Sequence, residues 1–176
     1  YTELYNPSGL TFDLTGWSLQ YTSATGNSWD FGTQPLGGSI GPGKYYLIAL
    51  GAGTVGDGLP LPAANINGEV NMSATTGKVA LVNSFDPLVG NCPVGDPHIV
   101  DFVGYGATAD CSETARATAP SGTTAIFRGN NGATDTDNNS TDFSAAAPNP
   151  RRTEPIVELG PLVFSSDPRK NGINAP

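Results

Sequence analysis

The sequence is poor in the residues that most chemistry needs. It has one histidine, one methionine, two cysteines and only eight lysines and arginines in 176 residues. A serine triad, a Cys–His pair or a multi-histidine zinc site each requires histidine with fixed partners. His98 stands alone beside Pro97, with Asp96 and Asp101 nearby in sequence, and reads as a plain loop or strand-edge residue. The cations form no basic stripe and are outnumbered by sixteen acids, giving a net charge of −8. That balance excludes a phosphate-backbone partner. Apolar runs such as Tyr45 to Leu50 are too short to span a bilayer.

What the chain does have is glycine and proline: 23 and 15, more than a fifth of all residues. Such a load breaks helices throughout, so bundles, coiled coils and doubly wound α/β folds are excluded. Glycine shows no three-residue period, which removes collagen. Trp, Tyr, Phe and β-branched residues recur in short runs, which removes disorder. The length suits one domain. The expectation is an all-β domain, an antiparallel sandwich of eight or nine short strands joined by long Gly/Pro-rich loops.

Strand signals lie at Tyr1 to Tyr5, Gly16 to Tyr21, Leu36 to Ile40, Lys44 to Leu50, Ile66 to Met72, Lys78 to Val82 and His98 to Gly104. Thr124 to Arg128 is expected to be the last strand of the main body. In Gly16 to Tyr21 the alternation points Trp17, Leu19 and Tyr21 one way, Ser18 and Gln20 the other. Asn27 to Phe31 repeats it, which predicts a hairpin across Ser23 to Gly26. Ser112 to Ala117 is the one expected helical turn, with Ser112 as N-cap. Trp17, Trp29, Tyr45 and Tyr46 are read as core or sheet-face residues.

Four features bear on chemistry. Gly51-Ala52-Gly53-Thr54-Val55-Gly56 matches a dinucleotide fingerprint, but the following Asp57-Gly58-Leu59-Pro60-Leu61-Pro62 supplies no helix to hold a pyrophosphate. It is read as a loop. Sixteen acids offer many carboxylate pairs for glycosidic hydrolysis, and no motif singles one out. Asp135, Asp137, Asn139 and Asp142 place oxygen donors at positions 1, 3, 5 and 8 of a loop, a pattern that can wrap Ca²⁺. The glycine and glutamate of an EF-hand are missing there, and the plainer reading is a loop fixed by Asx-turns. Cys92 and Cys111 are consistent with one disulfide; the alternative is two separate buried thiols. With few lysines, the bond fits an exported protein at an extracellular, cell-surface or periplasmic location.

Taken in order, several motifs resemble the lamin-tail domain, specifically its bacterial exported branch. They are Glu3-Leu4-Tyr5-Asn6-Pro7, Asp13-Leu14-Thr15-Gly16-Trp17-Ser18-Leu19, Gly41-Pro42-Gly43-Lys44-Tyr45-Tyr46-Leu47 and Gly77-Lys78-Val79-Ala80-Leu81-Val82. Val100-Asp101-Phe102-Val103-Gly104-Tyr105-Gly106 follows, then Asp135 to Asn139, Asp142-Phe143 and Pro148-Asn149-Pro150-Arg151. The resemblance implies an immunoglobulin-like β-sandwich over residues 1–153 with no catalytic residues and no cofactor. It implies a non-catalytic module of secreted or surface proteins, acting by protein–protein contact or surface attachment, including as a subunit of a larger extracellular assembly. The alternatives are a calcium- or carbohydrate-dependent adhesive module and an accessory domain of a secreted nuclease or phosphatase. Two departures stand out. The family has a strand before Glu3-Leu4-Tyr5-Asn6, expected here to be processed away or to lie outside the given sequence. It also ends near Arg151, whereas this chain continues through 154–176. Ile156-Val157-Glu158-Leu159 and Leu162-Val163-Phe164 in that tail are strand-like and could fill an open sheet edge, in its own domain or a neighbour.

Overall fold

The computed structural model describes residues 1–51 and 60–153. The tail 154–176 and all but the first residue of the Gly51 to Gly56 motif lie outside them. Among the described residues eleven strands and one short α-helix follow in order, with two 3₁₀ turns between them. They are β1 (Thr2–Tyr5), β2 (Phe12–Asp13), β3 (Ser18–Thr22), β4 (Thr33–Pro35), β5 (Ser39–Ile40), β6 (Tyr45–Ala49) and β7 (Ile66–Asn67). After them come β8 (Gly77–Val82), β9 (Ile99–Tyr105), β10 (Ala125–Arg128), α1 (Asn139–Asp142) and β11 (Phe143–Ala146). The protein is all-β, as its glycine and proline content implies.

One sheet runs β4-β3-β8-β9 and a second β1-β6-β7; β10-β11 and β2-β5 form separate pairs. The first two sheets share a core of Leu14, Leu19, Leu36, Ile40, Tyr46 and Ile48, with Leu4, Ile66, Val79 and Leu81 packed against it. Alternation in β3 and β8 explains which residues these are: Leu19 pairs with Leu81 and Tyr21 with Val79 on the inner face.

The opposite face of β3 is polar, yet it is equally buried: Ser18 and Gln20 are inaccessible and Thr22 nearly so. Loops 26–32, 84–91 and 109–111 cover it, and their backbone groups need partners that no strand supplies. The sheet's side chains supply them. Ser18 Oγ donates to Ser84 O at 2.6 Å, Gln20 Nε2 to Asp86 O at 3.0 Å and Thr22 Oγ1 to Ser28 O at 2.8 Å. Gln20 Oε1 accepts the Leu88 N–H at 2.9 Å. Lys78, fully buried, donates to Gly26 O, Asn91 O and the Asp110 carboxylate at 2.9, 2.6 and 2.5 Å. Between these polar contacts Trp29, Ala80, Val82, Leu88, Phe102 and Cys111 form a second core. Cys92 and Cys111 are disulfide-bonded, closing a 19-residue separation across this layer. In the chain-entropy model such a loop is worth about 3 kcal/mol.

Several expectations are corrected. Asn27 to Phe31 is not a strand: Ser28 only bridges Val89, and Asp30–Gly32 is a 3₁₀ turn. The hairpin partner of β3 is β4 instead. The reason is Trp29, which turns onto the outer face, donates to Gly90 O at 3.0 Å and leaves Phe31 almost wholly exposed. Ser112 to Ala117 is not helical. Ala117 bonds Gly104 and Gly106 beside β9, while Glu113 exchanges backbone contacts with Asn139. Those bonds outweigh a helix too short to be stable alone. The helical turn lies at α1, within the loop read as a calcium candidate. β10 is not the last strand, since β11 pairs with it antiparallel. The Ile66 to Met72 signal yields only β7, and β7 runs parallel to β6, so the sheets are not purely antiparallel.

Replacing Lys78 by methionine keeps its length but strips three loop acceptors of their donor. We expect a loss of about 3 kcal/mol in denaturant unfolding and a red-shifted Trp29 emission. A loss below about 1 kcal/mol would show that the loops are held without it.

Candidate functional site

The loop after β10 folds around one cation. Arg128 extends from β10 to Asp101 on β9 at 2.6 Å, Asp135 at 2.6 Å and Asp142 at 3.4 Å, and its guanidinium lies 4.6 Å over the Phe143 ring. Asp142 is buried and accepts the Thr136 N–H and hydroxyl at 2.9 and 2.7 Å. Burial opposes its charge, but those bonds and Arg128 hold its carboxyl below the ordinary range. Burial lifts the Asp101 carboxyl above that range, with Arg128 opposing.

Asn139 does something different. Its side-chain oxygen accepts the Gly104 N–H at 2.9 Å, and its amide nitrogen donates to Phe102 O at 3.0 Å and Glu113 Oε2 at 2.8 Å. The amide thus pairs with the outer edge of β9 as a neighbouring strand would. An oxygen already accepting two N–H groups, from Gly104 and Glu113, is a poor cation ligand.

The four loop donors therefore part company. Asn139 and Asp142 are committed to β9 and to Thr136, while Asp135 and the exposed Asp137 remain at the surface. Glu113, unmarked in the sequence, joins those two: one oxygen of each lies within 4.8 Å of the others. Arg128 bonds Asp135 beside them, and a guanidinium there repels a cation. The Glu113 carboxyl is raised to about 7 by burial and by the charges of Asp101 and Asp135. His98 sits elsewhere, exposed, with Nδ1 2.9 Å from Asn83 Oδ1.

Beside this cluster lies a cleft of about 470 Å³, lined along one wall by β1 and along the other by β10. Its floor is the inner face of the β4-β3-β8-β9 sheet, including Leu19, Val79, Leu81, Val103 and Tyr105, with Asp101 and Arg128 at one end. Val79, Leu81, Val103 and Ile126 are only half-buried. β1 pairs with β6 on one edge and β10 with β11 on one edge; among the described residues no strand pairs the other edge of either. At the closed end Gly132, with φ of 103°, lets the chain after β10 meet Tyr5: a Cβ there would lie 2.8 Å from that of Tyr5.

Sequence reasoning missed Asp101, Arg128 and Lys78, although each left a signal. All three are charged residues at alternating positions of otherwise apolar strands, in Ile99-x-Asp101-x-Val103, Ile126-x-Arg128 and Lys78-x-Ala80-x-Val82. Of the four aromatics, Trp29 and Tyr46 are core, Trp17 packs against the core, and Tyr45 lies under Arg151 with 4.0 Å between guanidinium and ring. No protein-family model, curated protein or solved structure matches the chain. The disulfide suits an oxidising compartment, and no helix among the described residues is long and apolar enough to cross a membrane.

Two predictions follow from the Arg128 cluster. A carboxyl raised from 4.5 to about 7 on folding contributes stability that is complete below pH 4.5 and lost as pH rises through 7. Glu113→Gln keeps an acceptor for Asn139 without the charge. Its melting temperature should gain on that of the wild type between pH 4.5 and 7 and hold a constant advantage above; parallel curves would refute the assignment. Millimolar Ca²⁺ should leave the melting temperature unchanged, because Arg128 already bonds Asp135 and repels a second cation beside it. A rise of several degrees that Asp137→Asn abolishes would show that the loop binds the metal.

Proposed function

We propose that this chain is a non-catalytic, exported interaction module that works by accepting an extended strand in the cleft between β1 and β10. The carrying observation is the cleft itself: an apolar floor flanked by two strand edges that no strand pairs among the described residues. Edges of this kind offer main-chain hydrogen bonds to an incoming segment, and a half-buried apolar floor offers pockets to every second side chain. A reading as an immunoglobulin-like sandwich of the lamin-tail type is supported by two sheets sharing one core and by the quoted motifs. On that reading the module serves secreted or surface proteins and contributes to a larger extracellular assembly.

The backbone of β1 provides the test. Leu47, opposite Glu3, turns its N–H and C=O away from β1, toward Asn65. Glu3 and Tyr5 therefore present theirs on the edge facing the cleft, where a new strand would bond. Their amide hydrogens should exchange slowly, either in the protein alone or once a synthetic peptide of alternating valine and threonine is added. A peptide with proline at its central positions should give no such protection. Exchange at loop rates in both states would defeat the reading.

A further inference from the structure

Resting on that strand-accepting reading, we infer that the strand seated in the cleft is the free N-terminal end of a partner chain, with its α-ammonium at Asp101. Size and shape come first. A strand residue takes about 3.3 Å along its axis, about 4.8 Å between neighbours and about 10 Å between layers, roughly 160 Å³ in all. A cleft of about 470 Å³ therefore holds about three residues, close to the length of its four-residue walls, β1 and β10. One end is shut: Gly132 abuts Tyr5, Arg151 bonds Glu3 at 2.6 Å and Arg128 bonds Asp101 at 2.6 Å. A strand running through has no exit there, and room for about three residues holds no hairpin. The occupant must end at that point.

The walls decide which end it is. Gly132, just after β10, meets Tyr5 at the end of β1, so both walls run toward the shut end. On β1, Glu3 and Tyr5 turn their N–H and C=O groups into the cleft. On β10, the Gly129 N–H bonds Asp142 O on the β11 side, so Ile126 and Arg128 turn theirs the other way. A strand between two walls of one direction has the same sense to both, and the antiparallel sense is the more stable per residue. Antiparallel pairing with β1 and β10 puts the N-terminus at the shut end.

Charge makes the same choice independently. Arg128 is shared among Asp101, Asp135 and Asp142. Arg151 gives Nε and Nη2 to Glu3 and Nη1 to the Tyr45 hydroxyl. Both guanidiniums are committed, so a terminal carboxylate arriving there meets no free cation. Three carboxylates on one guanidinium leave a surplus of negative charge, which an ammonium neutralises. Asp101 lines the cleft with its side chain 34 % exposed, so an ammonium can reach it and form a charge-assisted hydrogen bond.

The test uses the full chain and the Val/Thr peptide, amidated at its C-terminus, in three forms: free N-terminus, acetylated N-terminus, and a carrier protein fused ahead of its first residue. The free form should protect the Glu3 and Tyr5 amides at a concentration at least tenfold below that needed by the acetylated one. The fused form should give no protection. Asp101→Asn should remove the advantage of the free amine while Trp29 emission, which reports the opposite face, stays native. Equal protection by the free and acetylated forms, or any by the fused one, overturns the terminus assignment and leaves strand acceptance standing. An advantage that survives Asp101→Asn overturns it too. So does an acetylated peptide with a free C-terminal carboxylate that protects best, since the direction is then reversed. Amides already slow in the protein alone and unaltered by any peptide give the cleft to this chain itself, not to a partner. Fast exchange under every condition overturns both readings.

Discussion

A single buried ammonium sets the terms of this fold. Lys78 lies in the middle of the main sheet with no exposed surface, and its three donors meet three separate loops at Gly26, Asn91 and Asp110. A desolvated charge is tolerable only when every donor is used. Each loop must therefore come to the sheet, and two of the three contacts stand next to a disulfide cysteine: Asn91 beside Cys92, Asp110 beside Cys111. The covalent bond and the ionic contact fix the same layer. Trp29, Leu88 and Phe102 can then pack as a core under loops that have no regular structure of their own.

This arrangement inverts the usual economy of a two-sheet protein. Normally the core lies between the sheets and the outer faces are solvated. Here the β4-β3-β8-β9 sheet is covered on its outer face as well as on part of its inner one, and its outer face carries polar side chains that satisfy loop backbone groups. The consequence reaches the other side. Since the loop layer anchors the main sheet, the facing layer can remain incomplete: β1-β6-β7 covers part of the inner face, β10-β11 another, and a cleft separates them. Arg128 and Gly132 hold that cleft closed at one end, through Asp101 and Tyr5.

The strand positions were largely legible because alternation and Gly/Pro turns are local signals. Asn6-Pro7-Ser8-Gly9 is a turn closed by the Asn6 amide, and Leu19, Val79 and Leu81 face the shared core as their spacing implies. The failures have a common cause. Trp29 sits in an alternating run but answers to a buried face that local pattern does not reveal, so Asn27 to Phe31 curls instead of pairing. Ser112 to Ala117 carries a helix cap, yet its backbone belongs to β9 and Asn139. The acidic loop shows the same limit. Spacing marks Asp135, Asp137, Asn139 and Asp142 alike, while the fold assigns Asn139 to a strand edge and Asp142 to Thr136, and recruits Glu113 from twenty-two residues upstream of Asp135. Which oxygens meet is decided by topology.

Open edges explain why the cleft matters more than the charged loop. β9 could have been a free edge, but the Asn139 amide and Ala117 cover it from Phe102 to Gly106, which shortens the row of groups another chain could pair. The protein thus covers part of one edge with a buried side chain that mimics a strand and also ties in Glu113. Beside β1 and β10 no such device appears among the described residues, and apart from Glu3, Arg151, Asp101 and Arg128 the cleft is lined along its floor by apolar side chains. An edge left open over a charged face would be inert, and one over an apolar face invites pairing. That Asn139 protects β9 while β1 and β10 stay open among the described residues is what supports the proposed acceptance of a strand between them. On the proposed reading the selectivity lies in the floor, whose half-buried apolar side chains would meet every second residue of an extended segment.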